Sequence, residues 1–177
     1  MIALEFCRAC IEATPSYPNV AILAPSVPMV RQRFKSTREF ACLKPCVVIG
    51  SAEVDTWGRS EWQGTMSNHN VLITTPQLFL DTLDKGRLQL SLFTALVVEE
   101  CQHCSGRHPY ARIFRAHYSR RQSADHLRVL GLARCLVKRK VKAPEERHQV
   151  ISRIEKLMRC QLVNISEMVT MPSPDCD

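Results

Sequence analysis

Ala95-Leu96-Val97-Val98-Glu99-Glu100-Cys101-Gln102-His103 decides how the rest of the chain is read. Four consecutive apolar residues, two of them β-branched, describe a strand buried on both faces, as in a parallel sheet. The paired carboxylates then fall at its C-terminal end, the edge where open α/β sheets bind ligands. Two acids at such an end suit Mg-nucleotide chemistry: one can hold a metal while its neighbour positions and deprotonates an attacking water. The competing reading is a strand running out into a solvated acidic turn.

Working outward, apolar strands alternate with helical stretches. An N-terminal helix from Met1 to Ala13 ends at Thr14-Pro15-Ser16-Tyr17-Pro18, where two prolines make a loop. Val20 to Ala24 reads as a strand, and Pro25-Ser26-Val27-Pro28 as a hydroxyl-capped start, with a first-turn proline, of a helix to about Phe40. Cys46 to Ile49 is the next strand, and the segment after Gly58 is helical to Asn68. It includes Trp62, with Trp57 just before it; these indoles suit packing more than base stacking. Val71 to Thr74 is a strand, and Thr74-Thr75-Pro76 caps a helix from Gln77 to Leu83 that Lys85-Gly86 stops. Past the acids, a helix runs to about Tyr118, and Arg128 to Leu132 is a fifth strand. Strands separated by helices imply βαβ crossovers and a mostly parallel, three-layer α/β sheet. From Pro144 a long amphipathic helix carries Val150, Ile151, Ile154, Leu157, Met158, Leu162 and Ile165 on one apolar face.

Composition narrows the function classes. The 177 residues suit one domain, and 45% hydrophobic with 23% charged is ordinary for a folded protein rather than a disordered one. No apolar run approaches the ~18 residues of a membrane span, and the first helix, with Glu5 and Arg8 inside it and no basic start before an uninterrupted apolar core, makes a poor signal peptide. An intracellular protein, cytoplasmic or nuclear, is expected. The net charge is +7, but the 14 basic and 4 acidic residues from Arg112 to Arg159 leave that half at +10. Such a half favours a polyanionic partner or forms a solvated basic face. Nine cysteines, an odd number without secretory features, argue against a disulfide framework. Cys7/Cys10 and Cys101/Cys104 have C-x-x-C spacing but no compact finger pattern, so buried reduced thiols are expected rather than zinc.

The ordered strand ends resemble a known family. Ala24-Pro25-Ser26-Val27-Pro28-Met29-Val30-Arg31-Gln32, Leu72-Ile73-Thr74-Thr75-Pro76-Gln77, Glu99-Glu100-Cys101-Gln102-His103, His108-Pro109-Tyr110-Ala111 and Leu130-Gly131-Leu132 are similar, in order and spacing, to the first RecA-like domain of Dicer-type superfamily 2 RNA helicases. The resemblance covers about Val20 to Lys142. It implies a RecA-like, P-loop NTPase type sheet over residues 1–142, with 143–177 as an amphipathic helical extension toward a second half.

The resemblance also implies roles. Pro25, Ser26, Thr74 and Thr75 match positions that contact the sugar-phosphate backbone of RNA, double-stranded in the family, and short hydroxyls at helix starts suit phosphate without reading sequence. Glu99 matches the acid that holds Mg, and Glu100 the carboxylate that activates water for ATP hydrolysis. Gln102 stands at a nucleotide-side histidine position, and His103 lies one place beyond it. Ala133-Arg134-Cys135 stands where the family couples hydrolysis to RNA through a small hydroxyl-bearing triplet.

Departures from the pattern argue against catalysis. No G-x-x-x-x-G-K-S/T occurs in the sequence; in the family this phosphate-binding loop, with the first strand, would precede Met1. Glu99 replaces an Asp, and the extra methylene moves a carboxylate by about 1.5 Å, which a strict Mg shell tolerates poorly. The expectation is a catalytically inactive piece of a Dicer-like helicase ATP-binding domain, involved in RNA silencing in the intact family. The alternatives are a non-catalytic RNA- or protein-binding module, or an incomplete gene model. Two further readings concern geometry: Arg134 is either drawn to the acids or, the favoured alternative, turned to solvent, and Val129 to Leu132 form an open sheet edge prone to self-association unless another segment or chain covers it.

Overall fold

The structure, a computed structural model, describes residues 1–15, 19–118, 127–135 and 144–163. Five strands form one sheet: β1 (Val20–Leu23), β2 (Pro45–Val48), β3 (Val71–Thr74), β4 (Ala95–Glu99) and β5 (Arg128–Leu132). Every pairing is parallel and the order is β2-β3-β1-β4-β5. The central strands explain their own position. All residues of β1, β3 and β4 are buried, and such runs find apolar contacts only with helices on both faces.

Two cores follow from the period-two alternation of side chains. On one face Val20, Ile22, Ile73, Ala95 and Val97 meet Ala3, Leu4, Cys7 and Cys10 of α1 (Ile2–Ala13) and Val30 of α2 (Val27–Thr37). On the other, Ala21, Leu23, Leu72, Leu96 and Val98 meet three helices: α4 (Arg59–Asn68) through Trp62 and Met66, α5 (Pro76–Asp84) through Phe79 and Leu80, and α6 (Pro109–Ile113) through Tyr110 and Ile113. Trp62 is fully buried and meets Trp57 edge-to-face at 5.3 Å, so it is a core residue. A π-helical turn, Phe114–Tyr118, extends α6 to the expected end.

Several boundaries differ from the sequence reading. α2 stops at Thr37 rather than near Phe40, because residues 38–43 turn twice, with Phe40 N–H donating to Thr37 O and Leu43 N–H to Phe40 O, and so bury Leu43. A five-residue helix, α3 (Ala52–Thr56), precedes α4 and is held by the Ser51 hydroxyl, which accepts from Val54 N–H at 3.2 Å. The last helix, α7 (Pro144–Met158), ends where Arg159 turns left-handed at φ 50°. Leu162 is therefore off the helix and exposed, its N–H donating to Glu155 Oε1 at 2.7 Å. Ile165 lies outside the described residues, as does the expected boundary at 142/143.

The apolar stripe of α7 has a core: Ile154 and Met158 are buried in the same cluster as Leu96 and Val98. The helix reaches it because β5 carries Gly131. A Cβ there would lie 2.9 Å from Met158 Cε and 3.0 Å from Cys101 Sγ. β5 pairs with β4 on one side, and among the described residues no strand pairs on its other side. Cys7, Cys10, Cys42, Cys46, Cys101, Cys104 and Cys160 are free thiols. Among the described residues no helix is long and apolar enough to cross a membrane.

Candidate functional site

The register places the expected functional segments on one edge. Leu23 lies opposite both Thr74 and Val98, and Glu99 lies opposite Leu132. The residues that follow β3, β1, β4 and β5 therefore leave the sheet side by side, about 4.8 Å apart. These are Thr75, then Ala24-Pro25-Ser26, then Glu100, then Ala133-Arg134-Cys135.

At the β1 and β3 ends the chain turns straight into helices. Ser26 is the N-cap residue of α2, with extended backbone and no cap bond from its hydroxyl. Thr75 caps α5, its hydroxyl accepting from Leu78 N–H at a long 3.5 Å. Both helices have proline in their first turn, whose missing N–H would have had no helical partner. Pro25, Ser26 and Thr75 are half-buried. Thr74 is different: it is fully buried and its Oγ1 has no hydrogen-bond partner. Its main chain instead joins the two segments, Ala24 N–H donating to Thr74 O at 3.1 Å.

The acids occupy unlike surroundings. The Glu99 side chain is 6% exposed and forms an ion pair with Arg33 of α2. Burial pushes its carboxyl above the ordinary range, against the pull of Arg33, and the neighbouring Glu100 charge adds to the rise. Glu100 leaves the strand in the left-handed region, φ 54° and ψ 47°, a conformation that costs a side-chain-bearing residue roughly 1–2 kcal/mol. Such outliers cluster at functional sites. Gln102 Nε2 donates to Glu100 Oε2, and Arg134 Nε lies 3.7 Å from Glu100 Oε1 although the Arg134 side chain is 91% exposed. The attraction of Arg134 to the acids is thus present, but in solvent, where such a pair is weak.

Two features hold this edge in place. The Tyr110 hydroxyl sits between the carbonyls of Leu23 and Glu99, at 3.0 and 2.8 Å, and its single proton serves both strand ends. Burial raises its pKa, so it stays protonated. Behind Glu100, Cys101 and Cys104 are buried, and desolvation pushes their thiols up to about 11 and about 12. His103 and His108 stack at 5.5 Å. A cleft of about 320 Å³ opens over the acids, between α2 and the β5 end, lined by Met29, Gln32, Arg33, Ser36, Glu99, Glu100, Leu132, Ala133 and Arg134. Gln102 lies outside this lining, and so do the four expected RNA-contacting residues.

Comparison with known proteins gives the family. The chain is 33% identical over 150 residues to Endoribonuclease Dicer homolog 3 of Arabidopsis thaliana, covering 84% of this chain and 9% of that protein. It is 32% identical to Endoribonuclease Dicer homolog 2 of the same plant, over 84% of this chain and 11% of the relative. Dicer-like protein 2 of Cryphonectria parasitica is 31% identical over 74% of this chain and 9% of its own length. The chain is homologous to the helicase region of the Dicer-like proteins. It spans about a tenth of the length of these relatives. The helicase domain of Hef from Pyrococcus furiosus shares the fold, with a TM-score of 0.63 and 24% identity over 81% of this chain and 27% of that one. The sheet therefore has the RecA-like fold of that helicase domain. No protein-family profile matches.

Within this Dicer-like frame both acids already have side-chain partners. One Glu99 oxygen is held by Arg33, and the two Glu100 oxygens face Gln102 and Arg134. Among the described residues no group of three or more His, Cys, Asp or Glu is arranged to hold a metal ion. Sequence reasoning missed Arg33, Gln32 and Ser36 as cleft residues and gave Tyr110 no role. The only signal for Arg33 was a cation on the helix that follows a strand adjacent to the acids.

Proposed function

We propose that this chain is an RNA-binding helicase segment that grips the sugar-phosphate backbone and does not hydrolyse ATP. The observation that carries the reading is the adjacency of two helix starts at the paired β1 and β3 ends, where Leu23 lies opposite Thr74, with the Ser26 hydroxyl unused by its own helix. Oriented N–H groups with short hydroxyls suit phosphate without reading bases. Pro25 sets the turn into α2. The buried Thr74 acts through its main chain, tying the two starts together. The Dicer-like relatives support nucleic acid as the ligand; double-stranded RNA as its form and RNA silencing as the setting are part of the proposal.

The ATP side of the reading is negative. The sequence has no G-x-x-x-x-G-K-S/T to cradle phosphates, and the donor set around Glu99 and Glu100 does not suit Mg. No hydrolytic step is assigned to Glu100, to Gln102 or to the Ala133-Arg134-Cys135 segment. The test pairs two assays on the purified chain. Anisotropy with a labelled RNA duplex of arbitrary sequence should show binding that weakens steeply from low to moderate salt, because it rests on phosphate neutralisation, and Ser26→Ala with Thr75→Ala should weaken it severalfold. ATP turnover should not rise with duplex RNA. Absent binding at low salt, or RNA-stimulated turnover abolished by Glu100→Gln, would overturn the respective half.

A further inference from the structure

We propose that the Arg33 guanidinium is the resident counter-charge of Glu99 and closes the acid pair to divalent cations. It bears on the same cleft as the proposed function but does not depend on RNA binding.

Glu99 needs a partner whether or not a metal exists. Its side chain is 6% exposed at the end of a strand buried throughout, and a carboxylate so placed must be paired or lose its charge. Arg33 supplies the pair from α2 and is itself only 24% exposed. Its base is fixed, since Val30 on the same helix is fully buried and the Thr37 hydroxyl donates to Arg33 O at 2.8 Å.

Magnesium on Glu99 would have to share a carboxylate whose Oε1 is already paired with Arg33. The ion binds at about 2.0–2.1 Å in near-ideal octahedra and gives up water reluctantly. Seating it on Glu99 would bring two further positive charges against an immobilised cation in a low-dielectric corner. Glu100 offers no substitute, because its oxygens face Gln102 and Arg134. Arg33 is thus a positioning residue: it holds Glu99 in place without itself touching a reacting group.

Mn²⁺, an octahedral oxygen-seeking probe, tests this without RNA or nucleotide, by electron paramagnetic resonance titration and thermal unfolding of the full chain. The wild-type protein should show no saturable Mn²⁺ binding through the millimolar range and no shift in unfolding temperature. Arg33→Met frees the carboxylate, so Mn²⁺ should bind at least about tenfold more tightly and raise the unfolding temperature. Glu99→Gln added to Arg33→Met should abolish both effects, and Arg33→Lys, which keeps the charge, should remain metal-blind. Saturable wild-type binding lost in Glu99→Gln overturns the proposal, and so does an Arg33→Met protein that ignores Mn²⁺, folded or not. Because no RNA is present, a failed RNA assay leaves this result standing.

Discussion

Gly131 is the position where a single methyl group should do the most damage. It lies in the middle of β5, opposite Val98, in the strand that leads to Ala133-Arg134-Cys135. A Cβ there would stand 2.9 Å from Met158 Cε, 3.0 Å from Cys101 Sγ and 3.2 Å from Cys101 Cβ, all inside the 3.4 Å at which ordinary contact begins. Met158 has a flexible end, but it is fully buried and has little room to retreat. Cys101 is less free, because it opens the turn that follows the left-handed Glu100. Overpacking of this kind costs about 1–3 kcal/mol. Gly131→Ala should therefore lower stability by about that amount in urea, or by roughly 2–9 °C in unfolding temperature for a chain of this size. Met158→Ala opens space on one side, so the double variant should lose less than the sum of the two single losses. Full additivity, or a Gly131→Ala protein as stable as wild type, would show that α7 does not pack against β5 as described.

Two further changes probe the edge itself. Tyr110→Phe removes the hydroxyl shared by Leu23 O and Glu99 O and should cost about 1–2 kcal/mol, with faster hydrogen exchange at the Ala24 amide beside it; unchanged stability would refute the staple. His108 Nδ1 accepts from Tyr110 N–H at 3.3 Å and caps α6, and burial, aided by the charge of His103, holds its pKa below the usual 6.5. The folded protein thus binds this proton less tightly than the unfolded chain. Its contribution to stability is complete above pH 6.5 and is lost as pH falls through the lowered value. His108→Asn keeps a capping oxygen without titrating, so its stability should fall less between pH 7 and 5 than that of wild type; parallel pH profiles would contradict this.

The sheet was legible because its strands are extreme. β1, β3 and β4 are four- and five-residue strands, apolar but for Thr74 and Glu99 at their ends and buried on both faces, and the hydroxyls and prolines after β1 and β3 mark the helices that follow. Contacts distant in sequence decided what was misread. The apolar spacing of α7 continues past Met158, but the helix stops at a left-handed Arg159, and no apolar period encodes that. α3 escaped notice because one cap, Ser51, holds five residues whose periodicity is too short to detect.

The candidate site divides in the same way. Glu99 and Glu100 were recognisable from their place at a strand end, and Arg134 could be expected near them because a neighbouring parallel strand delivers it to the same edge. Arg33 was not recognisable, since a cation among Arg31, Gln32 and Lys35 on an amphipathic helix reads as a solvated face. What brings it to Glu99 is strand order: β1 pairs with β4, so the helix launched from β1 overhangs the end of the adjacent strand. The residue that a fragmentary motif cannot announce is then the one nearest the acid. A carboxylate at a RecA-like strand end meets whatever the overhanging helix carries, and in this chain that is a guanidinium.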